Sequence, residues 1–299
     1  MTILNEIKSA FRQADNTVTQ LIIINVIVFA FLSTSTVILG ISGQTSILSF
    51  IQDIFLLPSD FDTFITRPWT LITYAFSHQG LFHILFNMLF LYWFGRLISE
   101  FLGSQKLLAL YFLGGLAGGA LYLFMYNYIP FYMNRGASVL LGASASVYAI
   151  MVAAATLLPD YTIRLFLIGN VKLKWMVAVY LFISFLGIVG SNAGGDLAHL
   201  GGALMGYLYI KSLQKGNDLG KPIIKTINWF GNLFKPKSHV KVSYKESKKT
   251  KQSRKQTTSS SSVNPQQSEI DTILDKISES GYDSLTKAEK ELLFSASKK

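Results

Sequence analysis

The chain has 299 residues, half of them hydrophobic and 15% charged, with a mean hydropathy of +0.37; this excludes an ordinary soluble globule and fits an integral membrane protein. With no cysteine, disulfides, a thiol nucleophile and thiolate metal sites are excluded as well. The net charge of +10 is concentrated in one block: residues 1–210 carry 9 Lys and Arg against 8 Asp and Glu, 211–255 carry 13 against 2, and 256–299 carry 5 against 7. A basic block directly after a membrane segment suits anionic lipid and the positive-inside rule rather than nucleic acid.

Residues 1–20 are polar, carry no signal for secretory cleavage and read as a cytoplasmic N-terminal segment. Crossing an apolar core about 30 Å thick at 1.5 Å per residue takes roughly 20 residues. Six runs free of Asp, Glu, Lys and Arg approach that length: Leu21–Leu39, Leu81–Gly95, Leu107–Met125, Val139–Leu158, Trp175–Val189 and Leu197–Ile210. They predict an all-α membrane protein, a six-transmembrane-helix bundle over 21–210 with a cytoplasmic tail. Inside segments then hold Lys8, Arg12, Arg96, Lys106, Arg164, Lys172 and Lys174, and outside segments only Arg67 and Arg135, so both termini are expected in the cytoplasm. Ile47–Leu57, apolar but too short to span, is expected in the outer interface.

Beyond the last run, 211–267 is rich in Lys and Ser and reads as a flexible linker. Residues 268–297 carry Ile270, Ile273, Leu274 and Ile277 at helical spacing, a stop at Gly281 and a new start at Thr286 with Glu289 three residues on. That spacing predicts a small helical hairpin opened by a capping box, with a partner that the sequence does not name.

Three of the four histidines, His78, His83 and His199, fall in or beside the spans, where ionisable groups are costly and face cavities by default. His83 and Asn87, four apart, share a helix face. Ser144 stands in Gly142-Ala143-Ser144-Ala145, and His199 in Ala198-His199-Leu200-Gly201-Gly202 with Gly206 beyond. In the expected topology His83, Ser144 and His199 lie at the outer entrances of helices two, four and six. A serine hydroxyl needs a base, and histidine suits that task near neutrality, so Ser144 is the candidate nucleophile and His199 its general base. His83, Asn87 and the Ser144 backbone N–H are candidate donors to an oxyanion. No acidic third member is evident, and Asp196 reads as the cap of the sixth helix. No His-Glu-x-x-His is present, and no metal or other cofactor is expected.

The segment His83–Asn87 resembles the second-helix motif of the rhomboid family, Gly142–Ala145 its nucleophile motif, and Ala198-His199 with Gly202 and Gly206 its sixth-helix motif. The similarity covers about residues 15–210. It implies an intramembrane serine protease with a Ser-His dyad, of bacterial type, that cleaves single-span or multi-span membrane proteins. The alternative is a catalytically inactive relative that binds membrane clients. The resemblance further implies that Tyr148 packs on the His199 ring and that His78 lines a water-filled cavity. Gly142, Gly202 and Gly206 would support the site, and Ser191–Gly195 would form a mobile lid. Arg67-Pro68-Trp69 reverses the family's Trp-Arg order, and Glu100 stands near a family glutamate at altered spacing. The expected location is the plasma membrane of a bacterium, with the site opening toward the outer face.

Overall fold

The computed structural model describes residues 16–165, 169–233, 265–280 and 284–296, together with positions 5 and 9. The chain divides into two compact units between Lys237 and Ser238. Most of the expected segment 1–20 and all of 234–264 within the expected linker lie outside the described residues.

Unit one is a helical bundle. From residue 16 on, its described helices are α1 (Thr17–Ile41), α2 (Thr45–Phe55), the short α3 (Phe61–Thr66) and α4 (Thr70–Thr73), α5 (Leu81–Leu102), α6 (Ser104–Tyr128), the short α7 (Pro130–Met133), α8 (Ser144–Leu157), α9 (Leu173–Gly187), α10 (Ala193–Gln214) and α11 (Lys221–Leu233). The six expected apolar runs fall on α1, α5, α6, α8, α9 and α10. Among the described residues only α1, α5 and α6 are both long and apolar enough to cross a membrane unaided. The expected fourth span is shortened because Val139–Leu140 is a strand, β2, paired antiparallel with Leu57–Pro58, β1. The helix therefore starts only at Ser144 and, with 14 residues, reaches about 21 Å. Large apolar side chains such as Val26, Phe31 and Ile38 on α1, and Phe182, Ile183 and Leu186 on α9, are exposed, as suits a surface that faces lipid. The expected interfacial segment is α2, with Ile47 and Phe50 exposed.

Helices α5 and α6 turn on a single residue, Gly103, whose φ of +88° a side chain would strain. The centre of the bundle is a seam of small residues four apart on three helices: Gly114 and Gly118 on α6, Ala145 and Ala149 on α8, Ala198, Gly202 and Gly206 on α10. A Cβ at Gly114 would strike Ala149, one at Gly118 would meet Ala145 and the Ala198 carbonyl, and ones at Gly202 and Gly206 would run into the Ala145 and Ala149 carbonyls. Lipid tails are as apolar as the side chains, so association here depends on close backbone approach rather than on water expulsion. Three polar side chains buried near the seam are hydrogen-bonded: Tyr74 donates to the Gly115 carbonyl at 2.6 Å, Asn25 to Tyr111 at 3.0 Å, and Tyr111 to the Ala75 carbonyl at 2.7 Å.

Two further elements have no counterpart among the expected segments. Thr162–Leu165 and Gly169–Lys172 pair as an antiparallel hairpin, β3 and β4, and Asp160 accepts from Lys172 and Lys174, each at 2.9 Å. Residues expected to begin a flexible linker are helical: α10 runs on to Gln214, and α11 follows after a turn that Asp218 fastens by pairing with Lys106 and accepting from Tyr209 at 3.2 Å and from the Gly220 N–H at 2.9 Å.

Unit two consists of α12 (Pro265–Ser280) and α13 (Lys287–Ala296), with Ile273 and Leu285 buried. Glu289 accepts from the Thr286 N–H at 2.7 Å, and the Glu289 N–H donates to Thr286 Oγ1 at 3.4 Å, a reciprocal capping box. Glu289 also pairs with Lys276 at 2.9 Å.

Replacing Gly202 by Val is expected to lower bundle stability by about 1–3 kcal/mol or more, because the added side chain must push α10 off α8; an unchanged melting temperature in detergent would refute the seam. In unit two the hydrogen bonds from Lys276 and then Thr286 hold the Glu289 carboxyl at about 2, below its ordinary 4.5. A depressed folded value contributes stability that is complete above 4.5 and is lost as pH falls toward about 2. Carboxyl carbon NMR of the full chain should find that midpoint, raised in Lys276→Met; a wild-type midpoint at 4.5 would contradict the pairing.

Candidate active site

The first turns of α5 and α8 and the second turn of α10 converge at one end of the seam and carry His83, Ser144 and His199. The Ser144 Oγ and His199 Nε2 are 2.8 Å apart, and the imidazole has little exposure. This contact spans 55 residues of chain and follows from the seam: the seating of Gly202 on Ala145 brings the preceding turn of α10 beside the residue before Ala145. The Tyr148 ring, one turn after Ser144, stacks on the His199 ring at 4.2 Å between centroids and 5° between planes. The other ring nitrogen, Nδ1, is 3.0 Å from Ser184 Oγ of α9, and Ser184 in turn donates to Tyr148 Oη at 2.8 Å.

Ser184 is a site residue that sequence reasoning missed. It lies in the apolar run Leu181–Gly187, but four residues after Tyr180, and this pair on one helix face was the available signal. Asp196 departs from its expected role. Helix α10 begins at Ala193 with Asn192 at the cap position, so Asp196 sits inside the first turn, its carboxylate against Gly187 and 3.6 Å from His199 Nδ1. At that distance it acts through its charge and not as a hydrogen-bond partner. The expected lid is likewise shortened, since Gly194 and Gly195 are helical and Gly194 packs against Tyr122. What precedes the helix is tied down: Arg135 donates to the Val189 and Gly190 carbonyls at 3.2 and 2.6 Å.

The candidate oxyanion donors surround the same point. Gly142 holds φ +123°, where a side chain is strained, and a Cβ there would crowd the His83 ring at 3.0 Å. Asn87 is buried, its amide donates to the His83 carbonyl at 2.8 Å, and it lines a cavity of about 370 Å³ with His83, Ser144, Tyr148 and His199. Phe86 and Phe90 of α5 and Tyr180 of α9 form the wall of this cavity, with Phe90 and Tyr180 in edge-to-face contact at 5.2 Å. His78 lies behind the turn that precedes Ser144: its ring is 5.0 Å from that of His83, and its Nε2 accepts from the Ala143 N–H at 3.5 Å. It borders a second cavity of about 570 Å³ with Ser33, Thr36 and Gln52. Arg67 pairs with Asp53, and Glu100 borders a separate cavity with Arg96, away from the dyad. Among the described residues no group of three His, Asp or Glu comes together as a metal site.

The Rhomboid domain family matches residues 66–215, which is 150 of the 299 residues, and a family of unknown function, DUF6576, matches 261–299. Among curated relatives, the mitochondrial Rhomboid protein 1 of Saccharomyces cerevisiae is 30% identical over 61% of this chain and 52% of its own length. The mitochondrial RHOMBOID-like protein 12 of Arabidopsis thaliana is 35% identical over 50% and 48%, and the mitochondrial Presenilin-associated rhomboid-like protein A of Danio rerio is 33% identical over 48% and 37%. The chain thus spans about half the length of these relatives, or less. These three relatives carry mitochondrial names and two more carry chloroplastic ones, which overturns the expected location in a bacterial plasma membrane. The physical reason is that loop charge bias reports which side of a bilayer a loop occupies and not which bilayer it is. With its matched half enclosing all the motifs from His83 to Gly206, the chain belongs to the rhomboid family.

Proposed function

We propose that the chain is an intramembrane serine endopeptidase, and the observation that carries this reading is the 2.8 Å contact between Ser144 Oγ and His199 Nε2 beside a cavity. His199 Nε2 accepts the Ser144 proton as Oγ attacks a peptide carbonyl. The oxyanion that forms is met by the Ser144 backbone N–H and the side chains of His83 and Asn87. His199 then protonates the leaving amine, and water, deprotonated by the same imidazole, releases the acyl group. Tyr148 holds the imidazole flat against α8, and Gly142 leaves the approach to Ser144 open.

The substrates are membrane-spanning proteins. The cavity is walled by side chains of α5 and α9, helices that carry exposed apolar residues, so a segment leaving the bilayer between them would meet Ser144 directly. A peptide bond in an intact helix is shielded by its own hydrogen bonds, so substrates with helix-breaking or small residues near the cut are favoured. The lysines in the last turn of α10 and beyond it, Lys211, Lys215, Lys221 and Lys225, suit anionic lipid headgroups.

In a cleavage assay with a single-span reporter, Ser144→Ala and His199→Ala are each expected to lower kcat by about 1000-fold or more, with no effect of chelator. Cleavage that survives Ser144→Ala would refute the mechanism. Wild-type protein that holds the reporter without cutting it would favour the inactive, client-binding alternative. Asn87→Ala is expected to lower kcat about 10- to 1000-fold with little change in KM, as for loss of an oxyanion donor; a change in KM alone would remove Asn87 from that role.

A further inference from the structure

We infer that Ser184 is the positioning residue of the dyad: its hydroxyl accepts the His199 Nδ1 proton, so that Nε2 is left free to take the proton of Ser144. The inference rests on the protease reading above. It starts from a chain of groups in contact: Ser144 Oγ to His199 Nε2 at 2.8 Å, His199 Nδ1 to Ser184 Oγ at 3.0 Å, Ser184 Oγ to Tyr148 Oη at 2.8 Å, and Tyr148 Oη to the Tyr180 carbonyl at a long 3.5 Å.

The Ser184–Tyr148 bond sets the direction of the rest. Ser184 donates to Tyr148 Oη at 2.8 Å, and Tyr148 turns its own proton toward the Tyr180 carbonyl, which only accepts. Ser184 has then spent its own proton and can only accept from His199 Nδ1–H. A neutral imidazole protonated at Nδ1 carries its lone pair on Nε2, where Ser144 needs a base. With the opposite polarity, Nε2–H would point at Ser144 and no proton could move. Ser184 is 1% exposed, so its hydroxyl has no water to turn to instead.

The titratable groups facing His199 agree with this polarity. On its own helix the Asp196 carboxylate lies 3.6 Å from Nδ1, the nitrogen that carries the proton in this tautomer. From α8 comes Tyr148, from α9 Tyr180, and from α5 His83 across the cavity. In this arrangement a serine hydroxyl on a neighbouring helix occupies the position where many serine proteases keep a carboxylate, while the carboxylate stands one step back.

The test uses the purified full-length protein in detergent, a single-span reporter and a fluorophosphonate probe. Wild type must cleave the reporter and take up the probe on Ser144; if it does neither, the protease reading falls and this inference with it. Given an active wild type, Ser184→Ala is expected to lower kcat about 10- to 100-fold at unchanged KM. It should also move the acid limb of kcat/KM to lower pH, because the imidazolium loses an acceptor, and Ser184→Thr should restore both. An alanine variant with the wild-type kcat and limb overturns the inference, as does a loss confined to KM. Tyr148→Phe is measured in parallel, so that the inference stays open to refutation even where the Ser184→Ala protein does not fold. It keeps the ring stack and removes the hydroxyl that orients Ser184; a lower kcat with the same limb shift is expected, and a wild-type profile overturns the proposal.

Discussion

Everything at the site depends on how closely three backbones approach one another. A helix pair held apart by ordinary side chains lies about 8–10 Å between axes, whereas glycine and alanine at four-residue spacing let carbonyls of one helix lie against α-carbons of the next. Here Gly114 and Gly118, Ala145 and Ala149, and Gly202 and Gly206 are that spacing on α6, α8 and α10. The same three helices are thereby fixed in rotation as well as in distance. A rotation of α10 by one residue would carry His199 about 100° away from Ser144. The seam and the Ser144–His199 contact are therefore one geometric arrangement, since each of the two residues stands next to a seam residue, Ala145 or Ala198.

Around that rigid centre the helices are less constrained. Helix α9 is largely bare: Val179, Phe182, Ile183, Phe185 and Leu186 are exposed, and its inner face contributes Tyr180 and Ser184. Gly187 completes this face, since a Cβ there would displace the Asp196 carboxylate. The polar surroundings of His199 are thus divided between a helix locked in the seam and one whose outer face is bare, with Arg135 gripping the turn that follows it.

Much of this was legible in the sequence because its causes are local. Runs without charge marked the helices, His83 and Asn87 declared a shared face by their spacing, and the capping box of Thr286 and Glu289 is a pattern that spans a single helical turn. What was not legible has non-local causes. The late start of α8 comes from the pairing of Val139–Leu140 with Leu57–Pro58, some 80 residues away in the chain. Asp196 read as a helix cap because nothing local indicated that α10 begins three residues earlier. Ser184 sat unremarked among apolar neighbours until folding brought α9 against His199. The β3–β4 hairpin was absorbed into a loop because the segment is only eleven residues long and carries two of the inward-biasing charges, Arg164 and Lys172.

The distance in sequence between Ser144 and His199 bears on how such a chain can be made safely. Synthesis runs from the N-terminus, so the hydroxyl is in place 55 residues before the imidazole that meets it. On the proposed protease reading, Ser144 therefore stays an unassisted alcohol until α10 is inserted and its glycines close on α8, and a half-inserted chain would carry no activated nucleophile into the membrane that is building it.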